Sequence, residues 1–469
     1  MSDNTNRTTE SNTDRISRRA VLTTSAGALA AGLAGCTGDG NGGDGGSGSD
    51  GSDGGSGTTT GSTTDQQVEI EFWDYFGGTE DSEMKKLKNE FEERNPNITV
   101  NTQAVPFGDV PTKVVSAAAS GNTPHVFTYW MSFSSYYEAK GILDPIDDYL
   151  SDGLNPYYDL VEPAATAGGN VVALPMDIHA MMLATNDTVL EEAGAPMQPT
   201  THDEFVSAAN AIQENTDKRP FFLQTANNSF AGFRVYYSLL RQQGGKMFEG
   251  EDGDLGQPVF HESDAGIAAA EFYDLVTGQR NWDNADDISD SNIRVNEFKN
   301  DQAGMGFIGN WTANNFQNEQ NEFIDGLEFT YHQPWGFGGD TKSTFCESNG
   351  FFFPSNPDHT EAEKEARVKF VEYVTQNNPI WATKATHLPS TPEVATSDTV
   401  TSHPIYQKYE IVKTLQEMAS NGQLTYQPRA TIDLYAPEIG KSLSSIYAQN
   451  MEPQEALTQS ANAISDRMS

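Results

Sequence analysis

Hydrophobic and polar residues alternate over residues 68–73, as they do in a β-strand with one buried face. Over residues 80–94 the apolar positions follow helical spacing, and an Asn-Pro-Asn turn separates them from a second alternating stretch at residues 98–105. A helix at residues 111–120 and a strand at residues 125–130 continue the pattern. Strands that alternate with helices in this way predict an α/β fold built on parallel strands.

The same alternation continues further along the chain. Residues 171–175 and 180–186 have the composition of short strands, and a capping signal at residues 200–204 predicts the start of a helix. Residues 264–277 and 361–376 predict helices, and the last hundred or so residues are expected to be mostly helical. One sheet would be oversized for a globular part of about 400 residues, so we expect two lobes.

The first 35 residues have the pattern of an export signal. Arg18 and Arg19 precede a moderately apolar stretch, which is typical of the twin-arginine route, and the stretch ends in Leu-Ala-Gly before Cys36. This order resembles a lipoprotein processing site, so residues 1–35 are predicted to be a removed signal and Cys36 to carry lipid. Residues 36–67 are rich in Gly, Ser, Thr and Asp and predict a flexible tether.

The net charge of the chain limits the functional classes to which the protein can belong. The 469 residues include 67 acidic and 28 basic side chains, a formal net charge of −39. A nucleic-acid binder needs a basic face, so that class is excluded. Salt screens such self-repulsion, so the excess resembles proteins of halophilic archaea. The chain has two cysteines, too few for a disulfide framework, and no apolar run long enough to span a bilayer.

Seven segments, in this order, resemble the extracellular solute-binding proteins of ABC importers, in particular the sugar-binding group that includes maltose-binding protein. The strings FEERNPNITV, SAAASGNTPHV and AGMGFIGNW carry much of the likeness, although His125 in the second stands where the family usually has aspartate. The resemblance covers essentially all of residues 68–469. The segments are residues 68–73, 91–100, 116–126, 140–148, 173–186 together with 199–205, 303–311 and 349–357.

The resemblance implies an α/β, two-lobed periplasmic-binding-protein-like fold (type II), with a mixed sheet flanked by helices in each lobe and the ligand between the lobes. Lobe 1 is expected to comprise residues 68–178 and 346–390, and lobe 2 residues 179–345 and 391–469. It also implies a monomer without enzymatic activity that closes by hinge motion and delivers its solute to a membrane permease. The chain is expected to cross between lobes near residues 177–180, 345–349 and 387–394.

A sugar site needs flat aromatic rings for the C–H faces of the sugar and polar groups for its hydroxyls. Trp73, Tyr75 and Trp130 follow predicted strands, whose carboxyl ends gather ligands in α/β sheets. The resemblance places Trp311 at the position of a stacking tryptophan and Tyr435 near a second one. These five aromatic residues are therefore candidates for ligand contact.

Four further candidates are polar. Asp74, Asp177, His179 and Glu347 fall at a strand end or at a predicted lobe crossing, where a carboxylate can accept two hydroxyl protons. Arginine is scarce in this chain, and Arg234 and Arg241 could hold a carboxylate or a glutamate partner. The histidines show no metal-ligand spacing, so neither a metal nor a cofactor is expected. A dinucleotide-like Gly pattern at residues 304–309 lies on a predicted strand and is judged accidental.

Three alternatives remain open at this stage. The favoured one is a lipid-tethered binding protein that captures a sugar or oligosaccharide. A secreted, tethered glycoside hydrolase would also be acidic and rich in aromatic residues, and it would need a pair of carboxylates flanking one bond. A binding protein for a polyol, a glycerol phosphodiester or a peptide is the third.

Overall fold

The computed structural model describes residues 67–223, 229–250, 256–284, 291–318, 320, 322–338, 342–428 and 432–468. The predicted signal, Cys36 and nearly all of the predicted tether lie outside these residues. The strands are β1 Val68–Asp74, β2 Ile98–Ala104, β3 Val126–Trp130, β4 Thr166–Ala167, β5 Asn170–Val171, β6 Ala173–Pro175, β7 Asp177–Asn186, β8 Arg219–Leu223, β9 Ala303–Gly309, β10 Phe329–His332, β11 Thr344–Glu347, β12 Asn349–Phe352, β13 Leu388–Pro389 and β14 Leu424–Tyr426.

The helices follow most of the predicted helical segments, and in the part of the chain that the structure describes five 3-10 turns and one π turn lie between them. The α-helices are α1 Gly78–Arg94, α2 Val110–Ser120, α3 Ser134–Ala139, α4 Glu162–Ala165, α5 Asp187–Ala193, α6 His202–Asn215, α7 Ser229–Gln242, α8 Asp264–Asp274, α9 Ser291–Lys299, α10 Glu361–Gln376, α11 Pro379–Ala385, α12 Pro392–Ala395, α13 Asp398–Thr401, α14 Pro404–Gln407, α15 Ile411–Ser420, α16 Ile432–Tyr447 and α17 Pro453–Met468.

The first lobe is built on a five-stranded sheet in the order β2-β1-β3-β12-β6. Strands β1, β2 and β3 are parallel, as the alternating pattern predicts, with α1 and α2 as their connections. β12 runs antiparallel to β3 and β6, because it enters from the other lobe. The sheet is therefore mixed, as expected, and β12 is the strand that runs against the direction of the other four.

The second lobe is built around β7, whose ten residues are all buried. Its sheet has the order β14-β11-β7-β9-β8, and β10 and β13 also pair with β7. All four strands that pair with β7 run antiparallel to it. The molecule is thus a two-lobed, mixed α/β protein, as expected.

Two local predictions differ from the structure. The single strand predicted at residues 171–175 is divided, because Asn170–Val171 pairs with Thr166–Ala167 across a two-glycine turn while Ala173–Pro175 joins the first sheet. The helix predicted at residues 264–277 ends as an α-helix at Asp274 and continues as a π turn over Leu275–Gln279. The helix start at residue 201 is confirmed, with Thr201 and Glu204 forming a reciprocal capping box.

Candidate functional site

Three segments connect the two sheets, and they meet at Asp177. β6 ends at Pro175 in the first sheet and β7 begins at Asp177 in the second. β11 ends at Glu347 in the second sheet, and β12 begins at Asn349 in the first. The third segment leads from α10 through α11 to β13, which pairs with the start of β7. The side chain of Asp177 therefore lies where all three segments pass.

The Asp177 carboxylate is fully buried and accepts five hydrogen bonds from the three segments. Oδ1 accepts from the backbone N–H of Asn349 at 3.0 Å and from His179 Nδ1 at 3.1 Å. Oδ2 accepts from Asn349 Nδ2 at 2.6 Å and from Trp381 Nε1 and His387 Nδ1, both at 2.7 Å. This buried anion has its hydrogen-bonding capacity filled by the protein itself.

The charges in this cluster are coupled. Burial opposes the charge of Asp177, but the imidazoles of His387 and His179 outweigh it and hold the pKa of Asp177 well below its usual range. Burial also opposes the charge of His387, and the Asp177 carboxylate outweighs it and raises the pKa of His387. For His179 burial prevails and lowers the pKa to about 4. The Asp177 carboxylate thus favours the protonated form of His387, whereas the lowered pKa of His179 leaves that imidazole neutral at neutral pH.

The same three side chains could be considered as metal ligands, since one atom from each lies within 4.8 Å of the others. Both imidazole Nδ1 atoms, however, already point at the carboxylate, and Trp381 and Asn349 donate to it as well. This donor set fits a hydrogen-bonded network centred on Asp177 better than a metal centre.

Arg234 lies between the two lobes, with aromatic rings on several sides. Its Cζ is 4.9 Å from the ring centroid of Trp130 at the end of β3, 5.1 Å from that of Trp311 and 5.2 Å from that of Phe345. Trp130 belongs to the first lobe, whereas Arg234 on α7 and Trp311 after β9 belong to the second. Arg234 is 7% exposed, and both tryptophans are half-buried. The expected tryptophans of the two lobes therefore meet around one cation.

Gly309 at the end of β9 permits the position of Trp311. A Cβ added at Gly309 would lie 2.2 Å from the indole ring, so any side chain there would force the ring to move. The Trp311 ring also meets the His179 imidazole edge to face, at 5.4 Å between centroids. Through His179 the aromatic cluster is connected to Asp177 and hence to the junction of the lobes.

Glu347, the last residue of β11, is fully buried beside these groups. Oε1 accepts from the backbone N–H of Ser132 at 3.2 Å and from that of Ser348 at 3.0 Å, and Oε2 accepts from Gln427 Nε2 at 2.9 Å. Burial raises the pKa of Glu347 to about 7, and these hydrogen bonds and the charge of Arg234 only partly oppose the rise. Glu347 therefore titrates near neutral pH.

A cavity of about 470 Å³ opens next to Glu347 and is lined by residues of both lobes. Ser132 and Gln427, which hydrogen-bond Glu347, are part of its wall. The remaining lining residues are Met131, Ser134, Leu160, Pro163, Ala164, Tyr237, Arg241, Leu424, Thr425, Tyr426 and Pro428. Its size and its mixed polar and aromatic wall suit a small organic ligand.

The structure brings together five of the nine expected ligand contacts, namely Tyr75, Trp130, Asp177, His179 and Trp311. The Tyr75 hydroxyl donates to Asn349 Oδ1, and Asn349 in turn contacts Asp177. Glu347 joins the group through its charge on Arg234. Asp74 lies at the same strand end, where it accepts from the backbone N–H of Phe76 and burial raises its pKa to about 6.

Two expected contacts lie in cores in this structure. Trp73 is 7% exposed, its indole N–H donates to Glu71, and Lys113 of α2 lies over its ring, so its partners all belong to the first lobe. Tyr435 is fully buried in the second lobe, packs on Phe233 and donates to the carbonyl of Pro428. The roles of both residues in binding stay predictions.

Sequence reasoning missed several members of the site. Trp381 was not recognised, since nothing in its local sequence distinguishes it from a core residue, and Asn349 was not recognised although it falls in the predicted crossing at residues 345–349. Ser132 contributes its backbone N–H, which has no sequence signal. Gln427 follows a short strand, β14, which was not predicted because the last hundred or so residues were expected to be mostly helical.

The sequence model of the family described as bacterial extracellular solute-binding protein matches residues 77–378, well over half of the chain. The chain belongs to this family. Among curated proteins, this solute-binding protein is 25% identical over 134 residues to binding proteins of Brucella abortus and Brucella suis. Each match covers 28% of this chain and 32% of the relative, so the chain spans about a third of the length of the curated relatives it matches.

Solved structures share the fold over most of the chain. The cyclic α-maltosyl-1,6-maltose binding protein from Arthrobacter globiformis has a TM-score of 0.72 at 19% identity, covering 85% of this chain and 98% of that one. Maltose-bound MalE3 of T. maritima has a TM-score of 0.69 at 19% identity and covers 85% of this chain and 100% of that one. The GacH receptor of Streptomyces glaucescens has a TM-score of 0.68 at 19% identity, with 86% and 98% covered.

Family membership places this solute-binding protein among extracellular proteins. Within the described residues, no helix combines the length and the apolar character needed to cross a membrane.

Proposed function

We propose that this protein captures a sugar or oligosaccharide outside the cell between its two lobes and delivers it to the permease of an ABC transporter. The observation that carries the proposal is the pair Trp130 and Trp311, contributed by opposite lobes and meeting around Arg234. Further along the helix that bears Arg234, Tyr237 and Arg241 line a cavity of about 470 Å³. Aromatic faces from both sides suit the C–H surface of a sugar ring, and the polar wall suits its hydroxyls.

The crossing segments supply a hinge for this function. The three connections between the sheets meet at Asp177, so the lobes can rotate about a fixed point while the cleft opens and closes. A ligand that contacts Trp130 and Trp311 together gains more from the closed form than from the open form, because only closure brings both rings to it. It therefore shifts the equilibrium towards closure, which is the form a permease would recognise.

The structural relatives support this choice of ligand class. Their names describe proteins that bind a cyclic α-maltosyl-1,6-maltose, maltose, and acarbose, all of them carbohydrates or close mimics. Maltose itself does not carry over, since identity to these proteins is 19%. A polyol, a glycerol phosphodiester or a peptide is the alternative solute within the same fold.

A glycoside hydrolase is the alternative in a different class, and it would use two carboxylates facing one glycosidic bond. Two buried carboxylates near the cleft are Asp177 and Glu347. Asp177 already accepts five hydrogen bonds and Glu347 three, so both are engaged in holding the protein together. A binding protein should release no reducing ends from a panel of glycans, and their release would favour the hydrolase.

A thermal-shift screen of sugars at high salt tests the proposed function directly. A ligand that binds only the folded protein stabilises it by about 2.7 kcal/mol at a hundredfold excess over Kd. We expect at least one mono- or oligosaccharide to raise the unfolding midpoint, while glycerol phosphodiesters and peptides leave it unchanged. A shift with peptides alone would replace the carbohydrate by a peptide ligand.

The export and anchoring of the protein are a separate proposal that depends on residues 1–67. Arg18 and Arg19 direct the chain to the twin-arginine route, and Cys36 becomes the lipidated mature N-terminus on the outer face of the membrane. Cys36→Ser should release the protein into the medium, because one acyl anchor and a flexible tether are all that would hold it. Unchanged retention in the membrane fraction would contradict the proposal, and Cys346→Ser, at a buried thiol, is the matched control.

Three further expectations accompany the proposed function. We place lobe 1 at residues 68–178 and 346–390 and lobe 2 at residues 179–345 and 391–469, and we expect a monomer. The net charge of −39 fits a protein that works in concentrated salt. We therefore expect its unfolding midpoint to rise between about 0.1 M and 1 M salt, since screening shortens from about 10 Å to about 3 Å over that range.

A further inference from the structure

Three arginines are buried within the described residues: Arg234, Arg294 and Arg367. Arg294 lies 2.9 Å from Asp283, and Arg367 lies 2.9 Å from Asp144 and also donates to the carbonyl of Pro354. Both therefore follow the rule that a buried charge is paired. Arg234 departs from it.

No carboxylate oxygen among the described residues lies within 4.0 Å of the Arg234 guanidinium, and none of these residues accepts a hydrogen bond from it. Its Nε is buried without a partner. Burial lowers the pKa of Arg234 to about 10, so the group still carries its charge at neutral pH. The rings of Trp130, Trp311 and Phe345 stabilise the cation but accept none of its five N–H bonds.

Glu347 does not serve as the ion-pair partner that Arg234 lacks. Its charge acts on Arg234, but its two oxygens accept from Ser132, Ser348 and Gln427. Burial also raises the pKa of Glu347 to about 7, so that part of the population is uncharged at neutral pH.

The surroundings of Arg234 extend the positive region. Arg241 is seven residues further along α7, which places it on the same face of the helix, and it lines the cavity between the lobes. Its side chain donates to the carbonyl of Gly245 at 3.1 Å, which holds it at the cavity wall. Only 28 of the 469 residues are Lys or Arg, so two arginines on one cleft-facing helix form a local positive field within an acidic protein.

We propose that the saccharide bound by this protein carries a carboxylate, as a uronic acid unit does, and that Arg234 binds this carboxylate between Trp130 and Trp311. The inference rests on the proposed function, because it specifies the sugar class at the same site. The carboxylate supplies the acceptors that Arg234 lacks, and the sugar ring that bears it packs on the neighbouring aromatic rings. Arg241 adds attraction at the adjacent cavity wall.

A carboxylate fits this position better than a sulfate or a phosphate ester. Guanidinium and carboxylate are both planar and form two parallel hydrogen bonds in one plane. The indole rings of Trp130 and Trp311 each lie about 5 Å from the Cζ of Arg234. The narrow space beside these rings favours a flat partner over a tetrahedral one. A sulfated sugar therefore serves as the anionic comparison in the test.

The test is isothermal titration of the wild-type protein in high salt with three matched disaccharides: digalacturonic acid, galactobiose and a galactobiose sulfate ester. Digalacturonic acid should bind about ten- to a hundredfold more tightly than galactobiose, as a charge-assisted bidentate contact implies. Equal or tighter binding of galactobiose would overturn the proposal and leave the proposed function intact. Tighter binding of the sulfate ester would also overturn it. Failure of every saccharide in a broad panel would remove the proposed function together with the inference.

Variants then assign the effect to Arg234. Arg234→Met keeps an unbranched side chain between the rings and removes the charge, so the preference for the uronate should fall to near unity. Arg234→Lys keeps the charge but loses the planar fork, so an intermediate preference is expected. Lys441→Gln, on the exposed face of α16, removes the same charge at a surface ion pair and should leave the preference unchanged.

The ratio of the two affinities is the readout, because a variant that merely loosens the fold weakens both sugars together. The wild-type comparison needs no variant, so it decides the question even if Arg234→Met does not fold. A full preference retained in a folded Arg234→Met would exclude Arg234 as the carboxylate-binding group and overturn the proposal.

Discussion

Asp177 and Arg234 are two buried, opposite charges in the region where the lobes meet, and the protein surrounds them in different ways. Asp177 accepts five hydrogen bonds from residues of three crossing segments. The guanidinium of Arg234 makes no hydrogen bond to the described residues and is contacted by three aromatic rings. They are connected through His179, which bonds Asp177 and meets Trp311 edge to face.

The contrast distinguishes a buried charge whose hydrogen bonds are all made within the protein from one whose hydrogen bonds are left for a ligand. A buried charge without partners costs several kcal/mol, so a complete set of donors at Asp177 indicates a structural role. An incomplete set at Arg234 indicates a group that is satisfied only when something else is bound. The same comparison explains how a hinge can be fixed at one point while the adjacent cleft stays adaptable.

Among the variants that test this comparison, Asp177→Ala should have the largest effect. It leaves the donors on Asn349, Trp381 and His387 buried without an acceptor, and removing one partner of a buried ion pair typically costs about 3–5 kcal/mol. We expect a loss of this size in the free energy of unfolding, measured by denaturant titration at constant salt. Binding should weaken only as far as the fold is lost.

The matched control is Asp81→Ala, at an exposed ion pair with Lys85 on α1. Surface substitutions of this kind usually change stability by less than about 0.5 kcal/mol. If Asp177→Ala and Asp81→Ala unfolded at the same denaturant concentration, the five hydrogen bonds would not stabilise the junction, and Asp177 would have to be reassigned to the ligand site.

A pair of tryptophans sharpens the distinction between cleft and core. Trp335 is fully buried and stacks on Phe205 at 4.0 Å, so Trp335→Ala should cost about 3–5 kcal/mol of stability. Trp311 is half-buried at the cleft, so Trp311→Ala should weaken sugar binding by about ten- to a hundredfold, at about 1.4 kcal/mol per decade. Unfolding and titration on both variants measure the two effects.

We expect Trp335→Ala to lose stability and Trp311→Ala to lose affinity for the sugar. Lost stability with unchanged affinity in Trp311→Ala would move that residue into the core. It would also remove one of the two aromatic rings on which the proposal of a carbohydrate ligand depends.

Much of the fold could be predicted from local patterns. The boundaries of α10 coincide with the predicted helix at residues 361–376, and the capping box at Thr201 fixes the start of α6, because both depend on neighbours within a few residues. The division of residues 170–175 between two sheets could not be predicted. It depends on β12, a strand more than 170 residues further along the chain.

The site was predictable to a smaller extent. The ends of β3 and β9 point to Trp130 and Trp311, and the scarcity of arginine points to Arg234. The partners of Asp177 were not accessible in the same way, since Asn349 and His387 lie 172 and 210 residues from it in sequence. Backbone donors such as the N–H of Ser132 leave no trace in composition at all.

Glu347 lies between the two extremes of the comparison, and its titration tests on which side of the comparison it belongs. Burial raises the pKa of Glu347 to about 7, whereas a glutamate in the unfolded chain titrates near about 4.3. The folded protein therefore holds the proton more tightly. The stabilising contribution of Glu347 is complete below about pH 4.3 and is lost as the pH rises through about 7.

Glu347→Gln mimics the protonated form, so it should raise the free energy of unfolding relative to wild type at pH 8, by about 3–4 kcal/mol for a difference of about 2.7 pKa units at about 1.4 kcal/mol per unit. The new amide can donate to Gln427, whose Oε1 is buried without a partner within the described structure, if that side chain turns its oxygen towards it. The difference should vanish near pH 4. Glu417→Gln, on the exposed side of α15, removes the same charge and should show no such dependence of stability on pH.

If Glu347→Gln were destabilising at pH 8 as well as at pH 4, the hydrogen bonds of the Glu347 carboxylate would fully stabilise its charged form. Glu347 would then belong with Asp177 as a structural group, and Arg234 alone would mark the part of the cleft that the protein leaves incomplete.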